Sequence, residues 1–483
     1  MTPMKLTKAI LCAAACACAM GASAQAAPRS AYFMDGYTYR HELNAAFMGE
    51  RNYISIPALA NIDVALFSGV GVNDFLFKNS EYNPGSPYKL TSFMSPNVPA
   101  DVFLNGLHNN NHINLNFDLT ILSAGFKAWG GFNTISIGAH ADAGVNLPKD
   151  LFRFMKLGQT GPDTRYNFKD IDINASAMAE IALGHSRRIT DKLTAGAKLK
   201  VLLGVGNVNG HINNMDVRMS DEQWLVSADG EIKMAAGSGL YVPTKLEAGS
   251  TIDKPSEADL IEWNDIDYDS FGLSGFGLGI DLGATYQLLP ELQLSAAVND
   301  LGFMSWSHGV TGRTGLDAWT FEGFQNVAIS SDQPGYEENK LSEQLDNIWD
   351  DVQDAILIHR TGQDEGYTKA LHATIHLGAE YTMPFYRGLT GGFLFSTYIA
   401  GCQSWTEGRF YANCKPTKWF DCTVNYGAST YGSSFGWMLN FHPKGFNFFI
   451  GSDHQFFKVT PQFLPVGNAT ASINLGFNVT FGS

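Results

Sequence analysis

The chain has 483 residues, 45% of them hydrophobic and only 16% charged, with 50 glycines and 33 phenylalanines. Low charge with abundant glycine and aromatics suits a large all-β protein better than a helical enzyme. The formal net charge of −15 excludes nucleic acid as an expected partner, because phosphate binding needs a basic surface.

Residues 1–24 read as a secretory signal. Lys5 and Lys8 supply a positive start, and "AILCAAACACAM" (9–20) is an apolar run too short to span a membrane as a helix. Small residues at Ala22–Ser23–Ala24 place cleavage before Gln25, with cleavage after Ala26 or Ala27 as alternatives. Residues 25–53 then form an N-terminal segment, either luminal or periplasmic. Its run "YFMDGYTYRHELNAAFM" (32–48) is rich in aromatics yet lacks strand alternation. Such a segment needs a protein surface to cover it, since unpaired backbone cannot face lipid.

Residues 54–483 are dominated by alternation. It runs through "TISIGAHADAGV" (134–145), "DIDINASAMAEIAL" (170–183), "LTAGAKLKVLLGV" (193–205), "FGLGIDLGATY" (276–286), "LHATIHLGAEY" (371–381) and "ASINLGFNVTFGS" (471–483). A strand sends alternate side chains to opposite faces, so each run has one apolar face and one polar or small face. These runs reach the roughly ten residues that cross a bilayer at a tilt. No stretch after the signal is long and apolar enough for a transmembrane helix, so a membrane would be met only as a closed barrel.

The spacing predicts strands over 54–69, 112–126, 133–146, 169–185, 191–206, 208–219, 223–235, 271–287, 291–306, 367–383, 388–400, 427–441, 445–455 and 468–481. That is a transmembrane antiparallel β-barrel of about 14 strands, in the outer-membrane layout of short periplasmic turns and long extracellular loops. Tight turns are expected near Ser186, Pro290, Tyr386 and Pro443, and longer connections over 70–111, 147–168, 236–270, 307–366, 401–426 and 456–467. Two loops carry helical signals. "LPKDLFRFMKLG" (147–158) has Pro148 at its start and Gly158 at its end. "LSEQLDNIWDDVQDAILI" (341–358) has apolar residues at helical spacing opposite an acidic face.

Past the signal, Cys402, Cys414 and Cys422 cluster in one region, compatible with one disulfide and one remaining thiol in an exported protein. A zinc site would need closer Cys pairs or nearby His ligands. "GSSFG" (432–436) matches the G-x-S-x-G of a nucleophile elbow, but alternating residues continue onward as strand where the elbow needs a helix. "GFGLG" (275–279) has no following helix either, and its glycines are expected to leave room inside the barrel. His372 and His376 share a strand face but stand roughly 13 Å apart, too far for one metal.

The polar faces converge on the interior. Asp172, Glu180, Lys198, Lys200, Asp281, His372, His376 and Glu380 are the candidate lumen-facing polar residues, and Glu180 is expected to pair with Lys198 across neighbouring strands. A hydrated pore would use such groups, and so would a plugged barrel with satisfied polar side chains. No catalytic, cofactor or metal residues are expected.

Together, "SAYFMDGYTYRHELNAAFM" (30–48), "LPKDLFRFMKLG" (147–158), "EIALGHSRRITDKLTAGAKLKVLLG" (180–204), "GIDLGATY" (279–286), "VNDLGFMSW" (298–306) and "FFIGSDH" (448–454) resemble one family. It is a domain-of-unknown-function family of Gram-negative outer-membrane barrels, more distantly similar to long-chain fatty acid transporter barrels and to the shuttle barrel of type IX secretion. The resemblance covers nearly all of the chain past the signal. It implies a 14-stranded barrel with an N-terminal segment that can enter the lumen, and it assigns no site residues.

The expected function is passive transport of a hydrophobic or amphipathic small molecule in the bacterial outer membrane. The alternative is a structural or interaction barrel, accessory to secretion or surface assembly, with no open pore. An enzyme is not expected, because no nucleophile and base can be assembled from these residues. Expected partners are outer-membrane lipid and lipopolysaccharide, the barrel-assembly machinery and a hydrophobic small molecule.

Overall fold

The structure is a computed structural model that describes residues 28–47, 49, 51–55, 57, 59–79, 90–237, 240–252, 255–268, 272–314, 319–321, 358–401, 404–430, 432–454 and 470–482. The signal (1–24), most of the second helical signal (341–358), Cys402 and the connection 456–467 lie outside them.

The long alternating runs close into an antiparallel barrel of 14 staves. In chain order the segments are β1 (Asn52–Ser55), β2 (Asn61–Ser68), β3 (Asn110–Ala128), β4 (Gly131–Pro148), β5 (Asp163–Arg188), β6 (Leu193–Ser220), β7 (Trp224–Ala236), β8 (Gly275–Leu289) and β9 (Leu292–Thr314). There follow β10 (Ile358–Ala370), β11 (Ala373–Thr382), β12 (Leu389–Ile399), β13 (Trp405–Thr417), β14 (Phe420–Ser429), β15 (Gly432–Phe441), β16 (Phe446–Ser452) and β17 (Ala471–Phe481). Closure comes from β1 and β2, which form one stave: both pair with β17 on one side and β3 on the other. β10 and β11 form another stave, both pairing with β9.

The stave between β6 and β9 is composite. β8 pairs with the lower part of β6, from Leu193 to Gly204, and β7 with the upper part, from Gly206 to Met219. Both also pair with β9. Between them the chain leaves the wall as an excursion (237–274) and returns. Its Leu240, Val242, Ile261 and Ile266 pack on Met234, Val310 and Val208. Val208 is in register with Ala175, on the same face as exposed Ile173, so the excursion covers the outer face of the wall. A short helix, α-helical over Lys245–Ala248, carries a complete capping box between Thr244 and Glu247. Arg360 of β10 holds Glu247 with two hydrogen bonds of 2.6 and 2.7 Å. Those bonds, the largest cause, keep the Glu247 carboxyl below its usual range.

The stave total agrees with the sequence expectation, but the spans differ in two compensating ways. The sequence reads β6 as two strands and β7 and β8 as two staves. It reads 401–426 as a connection, where the structure has β13 and most of β14. A register shift between Ala177 and Met178 of β5, opposite Gly206 and Gly204, inverts the parity of β6 midway, so one strand looks like two. β13 hides its alternation because Phe410 faces outward while Tyr411 faces the packed interior.

Six tight turns, at 129–130, 189–192, 290–291, 383–388, 418–419 and 442–445, lie at the end that also holds Asn52 and Phe481. The opposite end has long connections, although 221–223, 400–404 and 430–431 are short. There, Lys149–Leu157 is helical, between Pro148 and Gly158, whose φ of +56° ends it. Its Leu151 and Phe154 cover Tyr166 and Phe168 on β5. β5, β6 and β9, with 26, 28 and 23 residues, rise well above the roughly ten that a bilayer needs. Cys414 and Cys422 are free thiols directly opposed on β13 and β14, and the Cys422 thiol donates to the Cys414 carbonyl at 3.6 Å.

Candidate functional site

Residues 28–47 fill the half of the lumen nearest the tight turns. Tyr32, Phe33, Met34, Tyr37, Tyr39, Leu43 and Phe47 are buried in one cluster with Tyr53, Phe132, Leu394, Tyr411, Met438 and Phe449 from the surrounding wall. Edge-to-face ring pairs join the two sets: Phe33–Tyr411 at 5.0 Å, Tyr37–Phe449 at 4.9 Å and Tyr39–Tyr53 at 5.7 Å. With little regular structure, the segment satisfies its backbone by local turns and by wall side chains. The Arg29 and Ser30 amides donate to the two Asp453 carboxylate oxygens at 2.8 and 2.6 Å. Gly36 donates to Asp421, and Asn299 Nδ2 donates to the carbonyls of Glu42 and Leu43.

On the β12–β17 side this plug is locked by a charged lattice. Arg409, fully buried, donates to both Glu407 oxygens at 2.8 Å, to Ser434 and Asn425, and to the Asp453 carbonyl. Arg29 pairs with Glu407 at 3.3 Å and lies over the Trp405 ring at 4.3 Å. Ser434, the centre of the "GSSFG" run, is thus an Arg409 acceptor inside β15.

The opposite side, against β3–β6, β8 and β9, is built differently. A cavity open to solvent lies between the plug and this wall. Lys200 Nζ stands 2.6 Å from Asp300, 3.0 Å from Asp281 and 3.6 Å from Glu180. His140 joins Asp118 at 2.7 Å and Glu180 at 3.5 Å. Lys198 is buried with Asp281 at 4.0 Å, and Glu42 of the plug faces the same space. Asp300 reaches Lys200 because a register shift on β9, with φ of +62° at Asp300 itself, turns it inward.

Above the charges the lining turns apolar. Met178, Leu202, Met304 and Trp306 form one inward cluster with Tyr367 and Leu371 against it. A Cβ on Gly204 or Gly275 would meet Trp306 at 2.5 and 2.8 Å, so these glycines make room for the ring. A second opening, with Asp142, Asn174, Asn207 and Lys369 on its wall, shares Met178, Leu371 and His372 with the first.

Of the sequence candidates, the structure brings Glu180, Lys198, Lys200 and Asp281 together. The register places Lys198 opposite Gly184 and Lys200 opposite Ala182, so Lys200 rather than Lys198 pairs with Glu180. His372 lines the same cavity and shares a hydrogen bond of 3.0 Å with Tyr398. The others stand apart. Asp172 pairs with His211 higher on the wall. His376 bonds Ser396 at 2.8 Å beside the Tyr32 ring, and Glu380 is in register with Gly392, where Phe33 packs. Sequence reasoning missed His140, Asp118, Asp300, Glu42 and the Arg29–Glu407–Arg409 lattice. Only His140 had a usable signal, the inward parity of "TISIGAHADAGV".

Solved structures with similar architecture include the Ralstonia pickettii toluene transporter TbuX, with TM-score 0.43 and 9% identity over 93% of this chain and 95% of that one. The P. putida toluene transporter TodX gives TM-score 0.39 and 8% identity, covering 94% of each chain. A Pseudomonas aeruginosa FadL homologue gives 0.35 and 10%, covering 95% of this chain and 96% of that one. No curated protein matches the sequence. Residues 45–453 match the model of the Family of unknown function (DUF5723), and the chain belongs to that family.

Proposed function

We infer that the chain is an outer-membrane barrel, exported through a cleaved signal, that passively passes a small hydrophobic or amphipathic molecule along the β3–β9 side of its plug. The observation that carries this reading is the two-part lining of two adjoining openings that share Met178, Leu371 and His372. Met178, Leu202, Met304, Trp306 and Leu371 offer an apolar surface, and Glu180, Lys198, Lys200 and Asp300 lie directly below it. A ligand with an apolar body and one polar end matches that order, the body leaving water against the thioethers and indole. No covalent step is involved.

The test is uptake into proteoliposomes. Intact protein should admit an aromatic or acyl-chain dye while conducting ions poorly, because the plug fills the lower lumen. Met178→Asp should abolish dye uptake and leave the barrel folded. A chain lacking residues 31–49 that still folds should conduct ions freely. Should the intact protein exclude both ions and dyes, the transport reading gives way to a structural or interaction barrel.

A further inference from the structure

The tips of the tight turns are unlike ordinary solvated turns. Five of the six turns carry a large apolar side chain at or beside the tip: Trp129, Ile189, Leu289, Phe385 and Trp419. Each is at least half exposed, reaching 77% at Trp129 and 81% at Phe385. They follow one another around the rim, from the β3–β4 turn to the β13–β14 turn. Leaving such side chains in water is unfavourable, and five of them exposed along one rim mark a contact surface.

The charges on this rim are equally one-sided. Arg187, Arg188, Lys192, Arg387, Lys418 and Lys444 are all exposed. Among the described residues none of them forms an ion pair of the kind that occupies Arg313 or Arg360 at the other end. The six turns themselves carry Lys192, Arg387, Lys418 and Lys444 against Asp191 and Glu291, and Arg187 and Arg188 at the end of β5 add to the cations. The protein as a whole carries −15, so this basic rim runs against its overall charge.

We propose that the tight-turn rim is a docking surface for anionic phospholipid headgroups of the adjacent leaflet. The rim adjoins the apolar belt of the barrel wall: Phe481 and Tyr381 of the belt are exposed at the same end. Aromatic rings favour the headgroup depth of a membrane, where one edge meets hydrocarbon and the other water. Lysine and arginine at that depth reach lipid phosphates, and each near an anionic surface adds attraction. An acidic protein would match the cations but gives no reason for apolar tips that merge with the lipid-facing wall. The inference rests on the barrel standing in a membrane, but not on whether anything passes through it. Failure of dye uptake therefore leaves it intact.

The test compares tryptophan quenching of the full protein in vesicles by brominated phosphatidylglycerol and by brominated phosphatidylcholine, at equal mole fraction. The anionic lipid should be enriched around the protein by up to about fivefold per engaged basic residue. Enrichment should fall at 1 M NaCl, where screening is nearly complete at about 3 Å. It should vanish in a variant with Arg187, Arg188, Lys192, Arg387, Lys418 and Lys444 changed to Gln, with closure checked by mobility of the unheated barrel. If that variant does not close, the salt titration of the natural protein decides alone. Equal quenching by the two lipids, or a preference indifferent to both salt and substitution, overturns the proposal. So does binding of poly-glutamate to the rim without anionic-lipid enrichment, which would assign the surface to an acidic protein.

Discussion

The plug meets the barrel through two unlike surfaces. Against β12–β17 its aromatic edges interlock and Arg409 and Glu407 are almost fully buried, with smaller gaps beside Arg29 and Asp453 and beside Tyr37 and Asn447. Against β3–β9 it meets Lys200, Glu180, His140 and Asp300 across a cavity. Both sides are charged, so charge is not the difference. The difference is how close water comes to the charge: Arg409 is 0% exposed, whereas Lys200 lines the cavity. A buried ion stripped of its counter-ion in a dry lattice keeps its whole desolvation penalty, whereas beside a cavity it can be hydrated. Arg409 and Glu407 are thus the costlier pair to break, and Lys200, which lines the cavity, is the more tolerant cation.

The most severe break should be Arg409→Ala, which strands Glu407 and removes the partner of Ser434 and Asn425. A loss of about 3–5 kcal/mol is expected, read as earlier unfolding of the barrel in detergent. Lys200→Ala should cost about 1.5–3 kcal/mol, since two of its three carboxylates, Glu180 and Asp300, border the cavity. Equal losses for the two variants would show that the two sides do not differ in hydration. From the sequence alone, Leu199→Arg on the outer face, at about 2–4 kcal/mol, is expected to cost far more than Lys200→Ala. The ion cluster brings the two into the same range.

A finer probe is Gly283→Ala. The added Cβ would stand 2.0 Å from Asn44 Oδ1 and 2.8 Å from the Ala45 amide, so it should push the plug from the cavity-side wall. About 1–3 kcal/mol of overpacking is expected, together with faster dye uptake. Unchanged uptake would indicate that molecules do not pass on this side. The smallest effect concerns the excursion. A depressed Glu247 pKa contributes stability above the usual glutamate value of about 4.3, lost as pH falls through the lower folded value. Protease cleavage within the excursion should therefore accelerate below about pH 4. Glu247→Gln should be cleaved equally at both pH values.

The barrel was legible because lipid enforces strict alternation: Leu199 and Lys200 fall on opposite faces by parity alone. The interior was less legible, because partners across the lumen depend on register. A one-pair slip separates Glu180–Lys200 from Glu180–Lys198, and no local signal sets it. The bulge that turns Asp300 inward erases the very alternation by which it would be found. β13 and the Arg409 lattice were hidden for a related reason. Where the plug replaces water, the inner face is aromatic too, and the contrast between faces disappears.

The stave shared by β7 and β8 has a consequence for how the wall holds together. Between Ala236 and Gly275 no covalent chain runs along the wall, yet Ser274 bridges the seam: its amide donates to Gly204 and its carbonyl accepts from Ser307. Mechanical continuity there belongs to the hydrogen-bond ladder and not to the polypeptide. Scission of the excursion near Gly249 would leave two polypeptides sharing one closed cylinder, joined by noncovalent staves on both flanks. The excursion is then a splice point, free to lengthen or to carry cargo outside the wall without the barrel changing its circumference.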